Sequence, residues 1–269
     1  MSELKMYCLS LSNAHLEKIQ NLNYIPVGLG KDNFDKQWTR DNTNEHISEK
    51  NSFYGENTFH YWLWKKGLKN IFDREWIGFC HYRRFWLRDS KQTDIKILKQ
   101  SVIQDPSNLW NNHEVVLGEE YFVNGTKLSK ILKHGRRQLL KNPFVFFSKK
   151  KMTVKVHFDM YHGFGNLDKA IDLLNNEDKI DFRNFVNTEV SFNPFNMFIC
   201  KSSKLLNDYY NSLFVWLKKC ESVFGFEPNQ KYSLIRIYAF LAERYLSYWF
   251  KKNSNYILWP VKHYDISNE

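Results

Sequence analysis

The strand-like run WIGFC (residues 76–80) delivers His81, Tyr82, Arg83 and Arg84 in succession. Guanidinium keeps its charge at any ordinary pH and matches phosphate oxygens in a two-pronged fork. Paired arginines can therefore neutralise a departing diphosphate as a bound cation would. The chain has no Asp-x-Asp, and its one Asp-x-Glu, Asp73 to Glu75, precedes the strand instead of following it. No metal site is expected, and the tetrad reads either as a metal-independent phosphate grip or as a solvent-facing basic turn.

A helix expected over 56–69 puts Thr58, Trp62 and Lys65 on one face and Glu56, Asn57 and Thr58 in its first turn. In a parallel α/β sheet that turn borders the ligand crevice. The plainer reading has Glu56 offset the helix dipole while Trp62 and Trp64 pack. In HFDMYHG, Asp159 and His162 stand three apart, close enough on one turn for an oriented acid/base pair. Glu243 shares a helical face with Arg236 and is the rival base, with an ion pair to Arg236 or Arg244 as its structural alternative. GLGK (28–31) lacks the GxxxxGK[ST] spacing and reads as a tight strand exit. His113, His134 and His263 show no metal-ligand spacing.

The elements that must position these groups alternate. Strand 6–11, helix 14–22, strand 24–30, the helix at 56–69 and strand 76–80 describe a parallel α/β sheet with ligands at the C-terminal ends of its strands. Residues 87–180 read as mostly irregular, with a strand at 114–118 and helices at 126–142 and 166–175. The segment 190–200 resumes the sheet, helices follow at 203–223 and 231–251, and 256–261 is a last strand.

At 269 residues without a linker or repeat, the chain reads as one domain, with 1–120 forming one half and 121–269 the other. Cys8, Cys80, Cys200 and Cys220 lack metal spacing, and the first three lie in apolar runs, as reduced core thiols in a cytosolic protein do. The N-terminus lacks the pattern of a signal peptide, and no run of about 18 apolar residues occurs. The expected location is the cytoplasm.

Net charge is +10. Between Tyr121 and Phe158 there is no acid but ten Lys or Arg, and Leu128, Ile131, Leu132, Leu139 and Leu140 recur at helical spacing. This basic amphipathic segment, 126–151, suits an anionic membrane surface, which makes the chain peripheral at the inner face of the cytoplasmic membrane. A helix packing its leucines on the core fits equally well. Nucleic acid is not expected, because no recognised motif accompanies the patch.

The run ISEKN…YGENTFHYWLWKK…WIGFCHYRRF (47–85) resembles a capsular-polysaccharide glycosyltransferase family catalogued as a domain of unknown function, which includes β-galactofuranosyltransferase domains. FNPFNMFIC (192–200) and RIYAFLAERY (236–245) resemble its later motifs, so the likeness runs from about Tyr7 to Pro260. Asn57 stands for the family's usual Leu, Ala239 for Gly and Tyr245 for Leu, and Asn57 is placed to alter sugar choice. The resemblance implies a GT-A type, Rossmann-like, mainly parallel sheet flanked by helices, with a C-terminal helical portion. It also implies a nucleotide-diphosphate sugar as donor and a glycan or lipid-linked glycan as acceptor, with no cofactor. Gly28, Asp41, Asn51, Glu56, Thr58 and Lys65 would line the donor side, His81, Tyr82, Arg83 and Arg84 would face the diphosphate, and Asn193, Asn196 and Met197 would sit near the acceptor. Galactofuranose, another hexose or a heptose remains open as the sugar. A phosphoryl or phosphoglycosyl transferase and a non-catalytic carbohydrate-binding module are the alternatives.

Overall fold

The computed structural model describes residues 3–68, 75–125 and 151–268. The chain divides into two compact units. The first comprises Met1–Glu119, Phe195–Asn211 and Phe250–Glu269, and the second Glu120–Pro194 and Ser212–Trp249.

The first unit holds a mixed, mostly parallel sheet. β1 (Glu3–Ser10) lies between β2 (Ile25–Gly28) and β4 (Glu75–His81), parallel to both, and β3 (Thr39–Arg40) extends the edge beyond β2. β6 (Val115–Gly118) runs parallel to β10 (Tyr256–Trp259). Between β4 and β6 lies β9 (Phe198–Cys200), antiparallel to each, and β5 (Arg84–Trp86) pairs with β4 and with β11 (Val261–His263). The alternation and C-terminal-edge geometry expected for an α/β fold are present.

Helices α1 (Leu16–Gln20), α2 (Asn51–Tyr54) and α3 (Asn57–Lys66) form the connections at this end of the sheet. α3 buries Phe59, His60, Trp62 and Leu63, and its Phe59 ring meets Phe79 of β4 at 6.3 Å. A core on Leu4, Met6, Cys8, Trp76 and Cys80 is completed by Trp110, which meets Trp76 and Trp259 edge-on at 5.4 and 5.2 Å. Each such side chain stabilises the fold by about 1.5–3 kcal/mol through burial. Gly78 interrupts WIGFC because a Cβ there would stand 2.7 Å from Met6 Cε. All four cysteines are free and buried.

The second unit pairs β7 (Tyr121–Phe122) with β8 (Ser191–Phe192) and contains helices Val154–His162, Asn166–Ile171 and Asn176–Thr188. Asn166–Ile171 lies within the helix expected over 166–175, whereas Val154–His162 falls in the region read as irregular and Asn176–Thr188 begins in it and runs past its end. Their start signals are local: Thr153 Oγ1 accepts from Val156 N, and Asn175 Oδ1 accepts from Asp178 N at 2.9 Å. Phe182 of Asn176–Thr188 meets Trp216, Tyr245 and Tyr248 at 5.9, 5.4 and 5.1 Å. Helices Ser203–Phe224 and Ile237–Asn253 supply residues to both units.

Two expectations need adjustment. The helix foreseen over 231–251 is interrupted at Arg236, where ψ turns to 28°. The strand foreseen over 190–200 is two strands, because Phe195 and Asn196 take left-handed φ values of 78° and 50°. The basic segment at 126–151 lies outside the described residues, save Lys151. Among the described residues no helix is long and apolar enough to cross a membrane.

Candidate functional site

Register aligns the ends of the parallel strands. Ser10 pairs with Gly28, Gly28 with Arg40, and Leu9 with His81, so β1 to β4 finish at one edge of the sheet. Because β9 runs the other way, with Ile199 opposite Gly78, the residues before it emerge at that same edge. α3 begins there too, and the edge gathers Asp41, Asn51, Glu56, Thr58, His81, Arg84 and Asn196.

The two arginines differ. Arg83 Nε lies 2.8 Å from Asp265 Oδ2, and its guanidinium sits 4.7 Å from the Tyr82 ring centroid. Tyr82 in turn stacks on His15 at 4.9 Å. Arg83 is thus committed to a neutralising contact. Arg84 has no ion pair among the described residues. It donates to Arg83 O at 2.8 Å and lies 4.6 Å from the Phe195 centroid. Burial and then the neighbouring Arg83 charge lower its pKa, opposed by Asp265, but a guanidinium stays charged through such a shift.

Asp41 is fully buried, and neither carboxylate oxygen makes a hydrogen bond. Burial raises its pKa, opposed by the nearby Thr58 hydroxyl and by Arg40. That hydroxyl itself donates to Gly55 O at 3.1 Å. Two buried oxygens without donors fit a ligand that supplies N–H or O–H groups. Arg40 is similar in part: Nη2 donates to Gly30 O at 3.0 Å while buried Nη1 has no partner.

Other expected donor residues make contacts within the chain. A Cβ on Gly28 would stand 2.5 Å from the Phe34 ring, so this glycine makes room for that ring. Asn51 Nδ2 donates to Gly55 O and Thr58 Oγ1 at 3.0 and 3.2 Å, closing the corner between α2 and α3. Lys65 pairs with Glu45 at 3.0 Å, and Tyr61 OH donates to the same carboxylate at 2.8 Å. With Trp62 Nε1 donating to Thr43 Oγ1 at 3.0 Å, this face of α3 holds down loop 41–46. Asn57 is buried and donates to Tyr54 O at 3.1 Å, a bond at the helix corner.

Of the expected acceptor residues, Asn196 belongs to the edge and donates to Glu56 Oε1 at 2.7 Å. Met197 is buried in the core below it. Asn193, in the second unit, is buried, and its backbone N donates to Ser247 Oγ at 2.7 Å.

The expected Asp159–His162 pair does not form. Asp159 Oδ2 lies 2.7 Å from Lys155 Nζ, and Oδ1 accepts from Gly165 N at 3.2 Å. Lys155 also reaches Asp168 at 2.8 Å, so the carboxylate ties one helix to the start of the next. His162 stacks on Phe240 at 4.0 Å with Nδ1 3.1 Å from Ser233 O, and burial, then Arg244, holds its pKa well down. Side chains at i and i+3 are neighbours on a helix, but here Lys155 and Gly165 take the carboxylate and Phe240 the imidazole. Glu243 is ion-paired with Arg244, as its structural alternative anticipated. That guanidinium is buried and packs on Phe192 at 4.1 Å.

Two contributors were missed: Asp265, which pairs with Arg83, and Phe195, on whose ring Arg84 lies. Among the described residues no group of three His, Cys, Asp or Glu could hold a metal ion.

A family model described as a domain of unknown function, DUF4422, matches residues 5–254. The solved apo structure of the WbbM bifunctional glycosyltransferase superposes with a TM-score of 0.66 at 17% identity. The match covers 97% of this chain and 45% of that one, so the chain spans under half the length of the protein it resembles. No curated protein matches by sequence.

Proposed function

Because the chain belongs to the DUF4422 domain family and shares the fold of a glycosyltransferase chain, we propose that it is itself a glycosyltransferase. It moves a sugar from a nucleotide-diphosphate donor to a growing capsular or lipopolysaccharide glycan. The observation that carries this reading is Arg84, a guanidinium without a carboxylate partner among the described residues, at the sheet edge that also holds the buried, unbonded carboxylate of Asp41.

In this reading Arg84 meets the diphosphate as the bond from sugar C1 to the β-phosphate oxygen breaks. Arg83, neutralised by Asp265, aligns Arg84 through its own carbonyl. Asp41 accepts hydrogen bonds from the nucleoside or sugar. The acceptor hydroxyl bonds to C1 and gives up its proton to a base. Asp159, His162 and Glu243 remain the candidates for that base. Each has a partner within the chain: Asp159 meets Lys155 and Gly165, His162 meets Ser233 O, and Glu243 meets Arg244.

The test is incubation with a panel of nucleotide sugars and a glycan acceptor, with and without EDTA. Nucleoside diphosphate release that persists in EDTA is expected. Activity lost in EDTA and restored by manganese would overturn the metal-independent part. Phosphate transferred into the product would favour a phosphoglycosyl transferase, and no binding of any nucleotide would favour a carbohydrate-binding module.

A further inference from the structure

The turn that carries the two arginines has little to hold it from within. Tyr82 and Arg83 are the central residues of a two-residue link between β4 and β5. His81 and Arg84 are the one register pair these strands share, and β5 goes on to pair with β11. Favoured two-residue hairpin links take a left-handed φ at one or both central residues, which matches the twist of the strands. Neither Tyr82 nor Arg83 has one. The corner therefore depends on what packs against it.

That support comes from the segment that follows β11. Tyr264 N donates to Arg83 O and Ile266 N to Tyr82 O, each at 3.2 Å. Between them Asp265 takes Arg83 Nε, and one residue further on Ser267 Oγ lies 3.0 Å from His15 Nε2. His15 and Arg83 are the two neighbours of the Tyr82 ring, at 4.9 and 4.7 Å, so the segment grips both. His15 is buried, and its Nδ1 lies 2.8 Å from Oγ of Ser10, the last residue of β1. Burial, then Lys18, lowers its pKa, with Asp265 opposing and Arg83 adding to the effect. The ring is therefore neutral at pH 7, one nitrogen donating and the other accepting, which two hydroxyls satisfy in either tautomer.

Arg83 O is the junction. It accepts from Tyr264 N and also from Arg84 Nη1 at 2.8 Å. The segment after β11 thus fixes the atom to which the Arg84 guanidinium is tied.

We propose that His15 and Ser267 are positioning residues: they close a clasp of residues 264–267 over the Tyr82–Arg83 turn, which fixes Arg83 O and aims the Arg84 guanidinium at an incoming diphosphate. The diphosphate role of Arg84 rests on the transferase reading, but the clasp is testable with the anion alone.

The experiment is calorimetric titration of the full chain with inorganic pyrophosphate. It compares Ser267→Ala, Ser267→Thr, His15→Phe and Arg84→Ala, with Ser267→Ala and His15→Phe also combined with Arg84→Ala. Ser267→Ala removes a single hydroxyl, so it carries the test if His15→Phe fails to fold. Binding is expected to weaken about fivefold in Ser267→Ala and in His15→Phe, the scale of one lost hydrogen bond. Ser267→Thr keeps the hydroxyl and should bind as wild type does. In the Arg84→Ala background the same changes should have almost no further effect, which loss of general stability would not produce. Wild-type affinity in Ser267→Ala and His15→Phe, or equal weakening with and without Arg84, would overturn the clasp, as would wild-type protein that does not bind pyrophosphate. Pyrophosphate binding with the expected coupling, but no turnover of any nucleotide sugar, would remove the transferase reading and leave the clasp standing.

Discussion

Asn196 donates to Glu56 across 140 positions of sequence, joining the residues before β9 to the first turn of α3 at 2.7 Å. Asn196→Asp would set two carboxylates against each other and is expected to destabilise the protein by about 1–3 kcal/mol at pH 7. Asn196→Gly accommodates φ 50° but loses the bond, so it should fall between wild type and the aspartate variant. Denaturant titration of the three proteins checks the order.

The unequal surroundings of Arg83 and Arg84 predict unequal effects. Arg84→Ala should lower turnover about 100-fold, as removal of a transition-state charge partner does. Arg84→Lys should recover only part of that, since an ammonium lacks the fork. Arg83 is half-exposed in its pair with Asp265, and pairs open to solvent contribute about 0–1 kcal/mol, so Arg83→Ala and Asp265→Asn should each cost less than about tenfold. Steady-state rates with a saturating nucleotide sugar separate the two cases.

Asp41 sets stability against binding. A buried carboxylate without donors costs about 1–3 kcal/mol, so Asp41→Asn should raise the melting temperature of the unliganded protein. The same substitution should weaken nucleotide-sugar binding. Thermal shift with and without ligand reads both, and an amide variant that melts lower would show that Asp41 is already satisfied.

Burial pushes the pKa of His60 and of His157 down to about 3, with Arg244 adding to the effect at His157. In the unfolded chain both return to about 6.5. Between pH 6.5 and 3 the unfolded state therefore binds protons that the native state refuses. Stability is complete above 6.5 and is lost progressively as pH falls toward 3. The two histidines together should make the melting temperature drop steeply through this window, and His157→Gln should flatten part of the slope. A profile unchanged by that substitution would mean His157 is solvated in solution.

Much of this fold was legible because its signals are local. Apolar runs such as WIGFC and the alternation of strand and helix place β1, β2, α3 and β4, and with them the edge where the arginines lie. The reversed β9 was not legible, since a short apolar run has the same pattern in either direction. Nor was the unequal standing of Arg83 and Arg84, which is set by Asp265 near the end of the chain. Asp159 and His162 illustrate the converse: their spacing is right, but Lys155 and Gly165 take the carboxylate while Phe240 takes the imidazole.

The reversed direction of β9 also bears on how such a protein can diversify. In an all-parallel sheet every residue at the ligand edge comes from a loop that follows a strand, and each of those loops must also lead into a crossover helix. The short segment before β9 escapes that double duty. It leads directly into the sheet, so substitutions at Phe195 and Asn196 can reshape the edge while the crossovers stay intact. Among relatives, and in directed libraries, this is where changes in donor or acceptor preference should accumulate first.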